Sequence, residues 1–305
     1  MKEYGVIDIG SNTIRIVIFK MNSDSGINYK VLENTKESTR LRNYVVNNEL
    51  SNEGIQKMLR VLHDYIEMSQ LYNLEELHIF ATQTIRMVDN QSDILDIVKQ
   101  ELGVDIHVLS KEEEALLGFQ GMHTYLPNAT NGIYVDLGGG SMELVYFESG
   151  VPIHNISLDF GSVVLRSMID HAVPNQTDIT FLRGFLLEQF NQVPWLKKVK
   201  GPLVVVGGSA RNLCRIDRFI TKRVEYTHGY QIGFREIKRT RKLLMLLTLE
   251  EIENIEGLTP SRADIIVPSI YAFETLYSYV KAPHFTCSRT GLREGVLLEL
   301  LGAVR

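Results

Sequence analysis

Cysteine is almost missing from this chain: Cys214 and Cys287 are the only two, and no metal-ligand spacing joins them. A disulfide framework and thiol redox chemistry are therefore poor explanations of its stability or activity, and both thiols are expected to be buried or idle. Long apolar runs are missing too, since none approaches the roughly 18 residues needed to cross a bilayer. The opening stretch "MKEYGVIDIG" has neither the basic region nor the cleavage site of a secretory signal, so a cytoplasmic protein away from membranes is expected. Positive charge is not in excess. With 32 Lys and Arg against 37 Asp and Glu, the formal charge of −5 argues against specific or bulk nucleic-acid binding but allows a local basic surface.

What is present is enough apolar residue, 44% of 305, for about two cores of roughly 150 residues each. Two or three strands are expected up to about Glu33, then a helix from Ser51 in which Ile55, Leu59, Leu62 and Ile66 recur at helical spacing. "ELHIFAT" reads as a strand, "SDILDIVKQEL" as a helix capped by Ser92, "VDIHVL" as a strand and "SKEEEALLGFQGM" as a helix capped by Ser110. After the connector "YLPNATNG" the order restarts with strands "IYVDL", "MELVYF" and "VPIHNISL". Helices follow from Ser162 and about Asp178, then the strand "PLVVVGG", a helix from Ser209, two long helices and a last helix "REGVLLELL". The fold class is therefore α/β, with two duplicated lobes of mixed sheet flanked by helices and a cleft between them. The expected boundaries are 1–122 for the first lobe, with the last helix at about 290–305 packing back on it, and 123–289 for the second.

One device occurs twice. "YGVIDIGSNTIRIVIF" places Asp8 at the end of an apolar run and before Gly10-Ser11, and "NGIYVDLGGGSMELVYF" does the same with Asp136 before Gly138, Gly139 and Gly140. A turn rich in Gly, Ser and Asn aims several backbone N–H groups at one point and lets an anion approach closely. Ser11, Asn12, Thr13, Gly138, Gly139, Gly140 and Ser141 are thus candidate phosphate binders. Carboxylates beside such loops would repel phosphate unaided, so Asp8, Asp136 and Glu143 are candidate ligands for Mg²⁺ or another divalent cation that bridges them to the anion. Asp-x-Gly also ends strands with no ligand at all, but its duplication at matching places favours a site.

A third loop, "VVVGGSARN", runs from a strand into a helix and would bring Gly207, Gly208 and Ser209 to the same anion, with the helix N-terminus adding positive potential. Along that helix Arg211, Arg215, Arg218 and Lys222 share one face, opposite Leu213, Ile216 and Ile220. The basic stripe is either a track for the rest of a polyanion or a solvated surface. Arg86 in "ATQTIR" is either a further phosphate contact or half of a structural ion pair. Glu112, Glu113 and Glu114 would by themselves be an acidic first helical turn that complements the helix dipole.

The ordered segments "DIGSNTIR", "ATQTIR", "LSKEEEA", "DLGGGSMELV", "VVGGSAR", "GLTPSRADII" and "GLREGVLLELL" resemble the exopolyphosphatase and guanosine pentaphosphate phosphohydrolase family, within the sugar kinase, Hsp70 and actin superfamily. The resemblance covers essentially the whole chain in the family's short, two-lobe form. It implies actin-like (ribonuclease H-like) lobes and hydrolysis of the terminal phosphoanhydride of inorganic polyphosphate, with guanosine pentaphosphate as a further substrate. It also implies that Glu114 is the catalytic base, with Glu113 as the alternative, that Asp136 and Glu143 serve catalysis through metal or water, and that Arg15 and Arg262 contact a guanosine pentaphosphate ligand. Monomer and homodimer both stay open. The chain departs from the family at Lys111, where Gly is usual, at Met142, where Thr is usual, and in "TRLRNYV", where a Gly-containing turn is common. A superfamily kinase or ATPase, or a sensor that binds polyphosphate or alarmone without turnover, are the competing readings.

Overall fold

The computed structural model describes residues 2–22, 28–224 and 227–303. The chain divides into two compact units, Met1–Glu114 with Arg293–Arg305, and Ala115–Leu292.

The first unit begins with β1 (Glu3–Ile9), β2 (Ile14–Met21) and β3 (Tyr29–Glu37), followed by a small hairpin of β4 (Val45–Val46) and β5 (Glu49–Leu50). Then come α1 (Asn52–Ser69), β6 (Leu74–Ala81), α2 (Gln83–Arg86), α3 (Gln91–Leu102), β7 (His107–Val108) and α4 (Lys111–Tyr125), within which the division falls. The sheet order is β3-β2-β1-β6-β7. Alternate residues of the hairpin, Ile7 and Ile9 with Ile14, Ile16 and Ile18, enter one core with Met58, Leu62 and Val98 of α1 and α3, because successive strand residues face opposite sides. That same alternation sends Asp8 to the other face.

The second unit repeats the plan. It contains β8 (Gly132–Leu137), β9 (Met142–Glu148), β10 (Val151–Leu158), α5 (Ser162–Ser167), α6 (Gln176–Asn191), β11 (Leu203–Val206) and α7 (Gly207–Thr221). β12 (Tyr230–Ile232), α8 (Phe234–Leu244), α9 (Leu249–Glu253), α10 (Ala263–Val280) and β13 (Phe285–Cys287) complete it, and α11 (Leu292–Leu300) ends the chain's helices. Its order, β10-β9-β8-β11-β13-β12, reproduces the first sheet strand for strand and adds β12 at the edge. In both units an antiparallel meander leads into parallel strands, so the duplication read from two Asp-Gly segments extends to whole topologies. Ala115, Phe119 and Met122 of α4 cover one face of the second sheet, and α5, α6, α7 and α10 cover the other. Met142 lies in that second core, fully buried.

Several expectations need correction. Ser92 does not cap α3; the cap position is Asn90, whose side chain instead exchanges two 3.0 Å hydrogen bonds with the backbone of Leu50, leaving Ser92 inside the first turn. The strand expected over "VDIHVL" shrinks to His107–Val108, since pairing extends only to Phe80 and Ala81. Opposite the basic stripe, Leu213 and Ile216 are buried, and Ile220, one residue before the end of α7, is 38% exposed. Ser110 does cap α4: its Oγ accepts from the Glu113 amide at 3.1 Å, while Glu113 Oε2 accepts from the Ser110 amide at 2.8 Å. Cys214 and Cys287 are both buried and unbridged. Among the described residues no helix is long and apolar enough to cross a membrane.

Candidate active site

In the second unit, β8 and β9 are joined by Gly138–Ser141, a turn closed by the Gly138 amide donating to the Ser141 carbonyl at 3.0 Å. The start of α5 takes up the turn's carbonyls, with Ser162 N–H to Gly138 O and Val163 N–H to Gly139 O, both 2.9 Å. The amides of Gly139 and Gly140 donate to no group among the described residues, which is the arrangement an incoming anion needs. Asp136 and Glu143 stand directly opposite each other across the strand pair. Glu143 is 2% exposed and accepts a 2.8 Å hydrogen bond from Ser157 Oγ on β10.

The third glycine loop is brought to the same place by strand order. β11 lies parallel to β8, with Val206 opposite Asp136, so Gly207 begins α7 beside that carboxylate. Gly207 has φ +92°, and a Cβ there would lie 2.9 Å from Asp136 Oδ1. Gly208 supports Arg262: a Cβ would meet its Cζ at 2.2 Å, and Arg262 Nη1 donates to the buried Ser209 Oγ at 3.4 Å. Asp136, Gly207, Gly208, Ser209 and Arg262 are thus gathered at the C-terminal ends of two parallel strands, where ligands commonly bind in such sheets.

In the first unit the β1–β2 turn is closed by Gly10 N–H donating to Thr13 O at 3.0 Å. Its carbonyls are occupied by the segment that departs from the family, through Arg40 N–H to Asn12 O at 3.0 Å and Arg42 N–H to Ser11 O at 3.2 Å. Thr84 Oγ1 donates to Ser11 Oγ at 2.7 Å. Asn12 is 6% exposed, and neither its Oδ1 nor its Nδ2 has a partner. Buried side-chain amides almost always have partners, so water or a bound ligand is left to serve this one. Asp8 Oδ2 accepts a 2.8 Å charge-assisted bond from Arg293 Nη1 at the start of α11. Arg15, opposite Asp8 in the hairpin, donates to Asn34.

Glu113 and Glu114 part company on α4. Glu113 is spent on the helix cap, and its hydrogen bonds to the Ser110 backbone and hydroxyl hold its carboxyl below the usual range. Glu114 is 9% exposed and accepts from Arg86 Nη1 at 2.9 Å. The same Nη1 reaches Leu109 O at 2.6 Å, while Arg86 Nε and Nη2 are buried with no partner. The ion pair and the phosphate contact, alternatives on sequence, are therefore compatible: one nitrogen serves Glu114 and two remain.

The basic stripe is not uniform. Arg218 Nη1 donates to Thr227 Oγ1 at 3.2 Å, whereas Arg215 and Lys222 are both exposed. Arg215, Arg218 and Lys222 border a groove of about 690 Å³ with Phe219 and Val224, so apolar side chains interrupt the cations.

Among the described residues no three His, Cys, Asp or Glu side chains cluster for a metal. The pair Asp136 and Glu143 still fits Mg²⁺, which needs one or two protein carboxylates and completes its shell with water and substrate oxygens. Asp8 fits less directly because Arg293 already neutralises it. Sequence reasoning did not assign Arg293, Ser157 or Thr84. Arg293 lay in the quoted "GLREGVLLELL", but nothing in the sequence says which carboxylate it meets.

A duplicated sheet plan, each copy carrying an Asp before a glycine- or serine-bearing turn, defines a phosphate-handling α/β protein of the actin-like class. The chain belongs to the Ppx/GppA phosphatase family, whose profile matches residues 17–303. It is 23% identical over 303 residues to Exopolyphosphatase 1 of Mycobacterium tuberculosis, covering 97% of this chain and 88% of that one. Its fold is similar to an exopolyphosphatase from Cytophaga hutchinsonii, with TM-score 0.90 at 23% identity, covering 100% of this chain and 99% of the other. It is also similar to the Aquifex aeolicus Ppx/GppA family member, with TM-score 0.82 at 25% identity and coverage of 100% and 99%.

Proposed function

We propose that this phosphatase is a cytoplasmic exopolyphosphatase, releasing orthophosphate from the end of inorganic polyphosphate. The observation that carries the reading is the facing pair Asp136 and Glu143 beside two amides, of Gly139 and Gly140, that have no acceptor. Glu114, oriented by Arg86, takes a proton from water as the water oxygen attacks the terminal phosphorus in line; the bond from that phosphorus to the bridging oxygen breaks, and the shortened chain leaves with the electron pair.

Ser11, Asn12 and Thr13, with Gly138–Ser141, hold phosphate oxygens, and Gly207, Gly208 and Ser209 add the α7 N-terminus. Mg²⁺, held by Asp136 and Glu143, would neutralise charge on the transferred and leaving groups. Asp8 acts through Arg293, which it fixes in place, more than as a direct ligand. Arg262, lying against Gly208 and Ser209, is assigned to phosphate oxygens through its N–H fork, with guanosine pentaphosphate as a further substrate.

The experiment is orthophosphate release from polyphosphates of defined length, guanosine pentaphosphate and ATP, with Mg²⁺ present or chelated. Release from polyphosphate that stops on chelation is expected. Turnover of ATP alone would favour an ATPase, and binding without release would favour a sensor.

A further inference from the structure

Within the first unit, α2 is fastened at two points that the proposed reaction uses. Thr84 Oγ1 donates to Ser11 Oγ on the β1–β2 turn at 2.7 Å, and Arg86 Nη1 donates to Glu114 Oε2 at 2.9 Å. Gln83 opens the same helix, directly before Thr84 and three residues before Arg86. Residues three apart share a helical face, with Cβ atoms roughly 5–6 Å apart, so Gln83 and Glu114 are both neighbours of the Arg86 side chain.

Gln83 is 4% exposed, and no donor among the described residues serves its buried Oε1. Buried side-chain oxygens of this kind nearly always have one. The polarity of the group narrows what can fill the need. Arg86 Nε and Nη2 and Asn12 Nδ2, which are buried and unpartnered too, are donors and suit the oxygens of an ionised phosphate. An amide oxygen accepts only, so those phosphate oxygens cannot serve it. It needs an O–H or N–H proton, and hydrolysis brings one kind, the hydrogens of the attacking water. Asn12 Oδ1 is a second unpartnered acceptor, but it belongs to the β1–β2 turn, whereas Gln83 shares the face of the arginine that holds the base.

We infer that Gln83 positions the attacking water, its Oε1 accepting one water hydrogen while Glu114 accepts the other. Two acceptors fix the orientation of the water, so that a lone pair on its oxygen is presented to the terminal phosphorus. Glu114 takes the proton that leaves as the new phosphorus–oxygen bond forms, and Gln83 exchanges none. Side-chain amides orient attacking water in this way in other phosphoanhydride hydrolases. The inference rests on the reading of Glu114 as the base.

Orthophosphate release from polyphosphate of defined length by the full chain, by Gln83→Met, by Gln83→Glu and by Glu114→Gln tests it, with thermal melts alongside. Gln83→Met keeps the side-chain length and loses the acceptor, so kcat should fall by about 10²-fold, the cost of a misplaced reactant, while KM stays close to that of the parent. Gln83→Glu keeps an accepting oxygen and adds a like charge beside Glu114, which opposes ionisation of the base; the acid limb of its kcat–pH profile should therefore move to higher pH. Raised KM with parental kcat in Gln83→Met would make the amide a phosphate contact and overturn the proposal. An unmoved acid limb in Gln83→Glu would overturn it too, and that limb decides alone if Gln83→Met does not fold. Parental kcat in Gln83→Met beside an inactive Glu114→Gln would sink the role of Gln83 and leave the base standing, whereas near-parental kcat in Glu114→Gln would remove the base itself.

Discussion

Arg86 and Glu114 form a charge-assisted hydrogen bond of 2.9 Å with side chains only 15% and 10% exposed, joining α2 to the first turn of α4. The guanidinium is also anchored on Leu109 O, so the carboxylate is held from a fixed point while Arg86 Nε and Nη2 remain without partners. An unmet buried donor costs about 1–3 kcal/mol, and a phosphate oxygen would relieve that cost.

Glu114→Gln is expected to keep the fold and substrate binding while lowering kcat by about 10²–10⁴, the usual worth of a general base. Single-turnover assays with a binding control check this, and near-normal kcat would remove Glu114 from that role. Glu113→Gln should spare turnover. Its carboxyl is held below the ordinary value of 4.5 by the cap, so the stabilisation it contributes is present above pH 4.5 and is lost as pH falls through its lowered value. Melting curves at pH 7 should therefore separate parent from variant, and curves well below pH 4.5 should not.

Arg86→Gln should cost both turnover and stability. Removing one partner of a buried pair destabilises by about 3–5 kcal/mol, less here because neither side chain is fully enclosed. The kcat of Arg86→Gln/Glu114→Gln should be no lower than that of Glu114→Gln alone, since both changes disable one unit, while KM should rise with the loss of the phosphate contact of Arg86 Nε and Nη2. Additive losses in kcat would show that Arg86 acts independently of Glu114.

Asp136→Asn and Glu143→Gln are expected to raise the Mg²⁺ concentration needed for half-maximal rate and to lower the maximal rate. Activity titrated against Mg²⁺ reads this directly, and undiminished release by the parent in excess chelator would exclude the metal from the reaction.

Gly207→Ala tests the room beside Asp136. With φ +92° the new side chain is strained by about 1–2 kcal/mol, and its Cβ would press on Asp136 Oδ1. Thermal melts should show the first effect, and a larger loss in kcat than in stability should show the second. Unchanged kinetics in a folded variant would place Asp136 outside the reaction.

Arg215→Gln/Arg218→Gln/Lys222→Gln distinguishes a track from a solvated face. Exposed pairs contribute about 0.2–1 kcal/mol each and are screened by salt, so a track predicts a loss of roughly 1–3 kcal/mol for long polyphosphate at low ionic strength and little for a triphosphate. Values of kcat/KM against chain length at two salt concentrations decide it; equal losses at all lengths would make the stripe a surface.

The sequence by itself determined the local devices. Strand alternation around Asp8 and Asp136, the Gly-Ser turns, the capped starts at Ser51 and Ser110 and the repeat of strand-turn-strand all depend on neighbours within a few residues, where backbone sterics and side-chain period act directly. Tertiary structure decided which charges meet. Arg293 reaches Asp8 across 285 positions, and Arg262 reaches Gly208 only because the short 3₁₀ turn Pro260–Arg262 before α10 lies beside the start of α7. Glu113 and Glu114 look alike in "KEEEA", but a helix turns about 100° per residue, so one faces its own cap and the next faces Arg86. Asn90 shows the same limit from the other side: its amide could cap a helix locally, and a long-range pairing with Leu50 claimed it instead. Charge and hydrogen-bond partners are chosen by proximity in space, which the linear pattern constrains only after the sheets have stacked their strands in order.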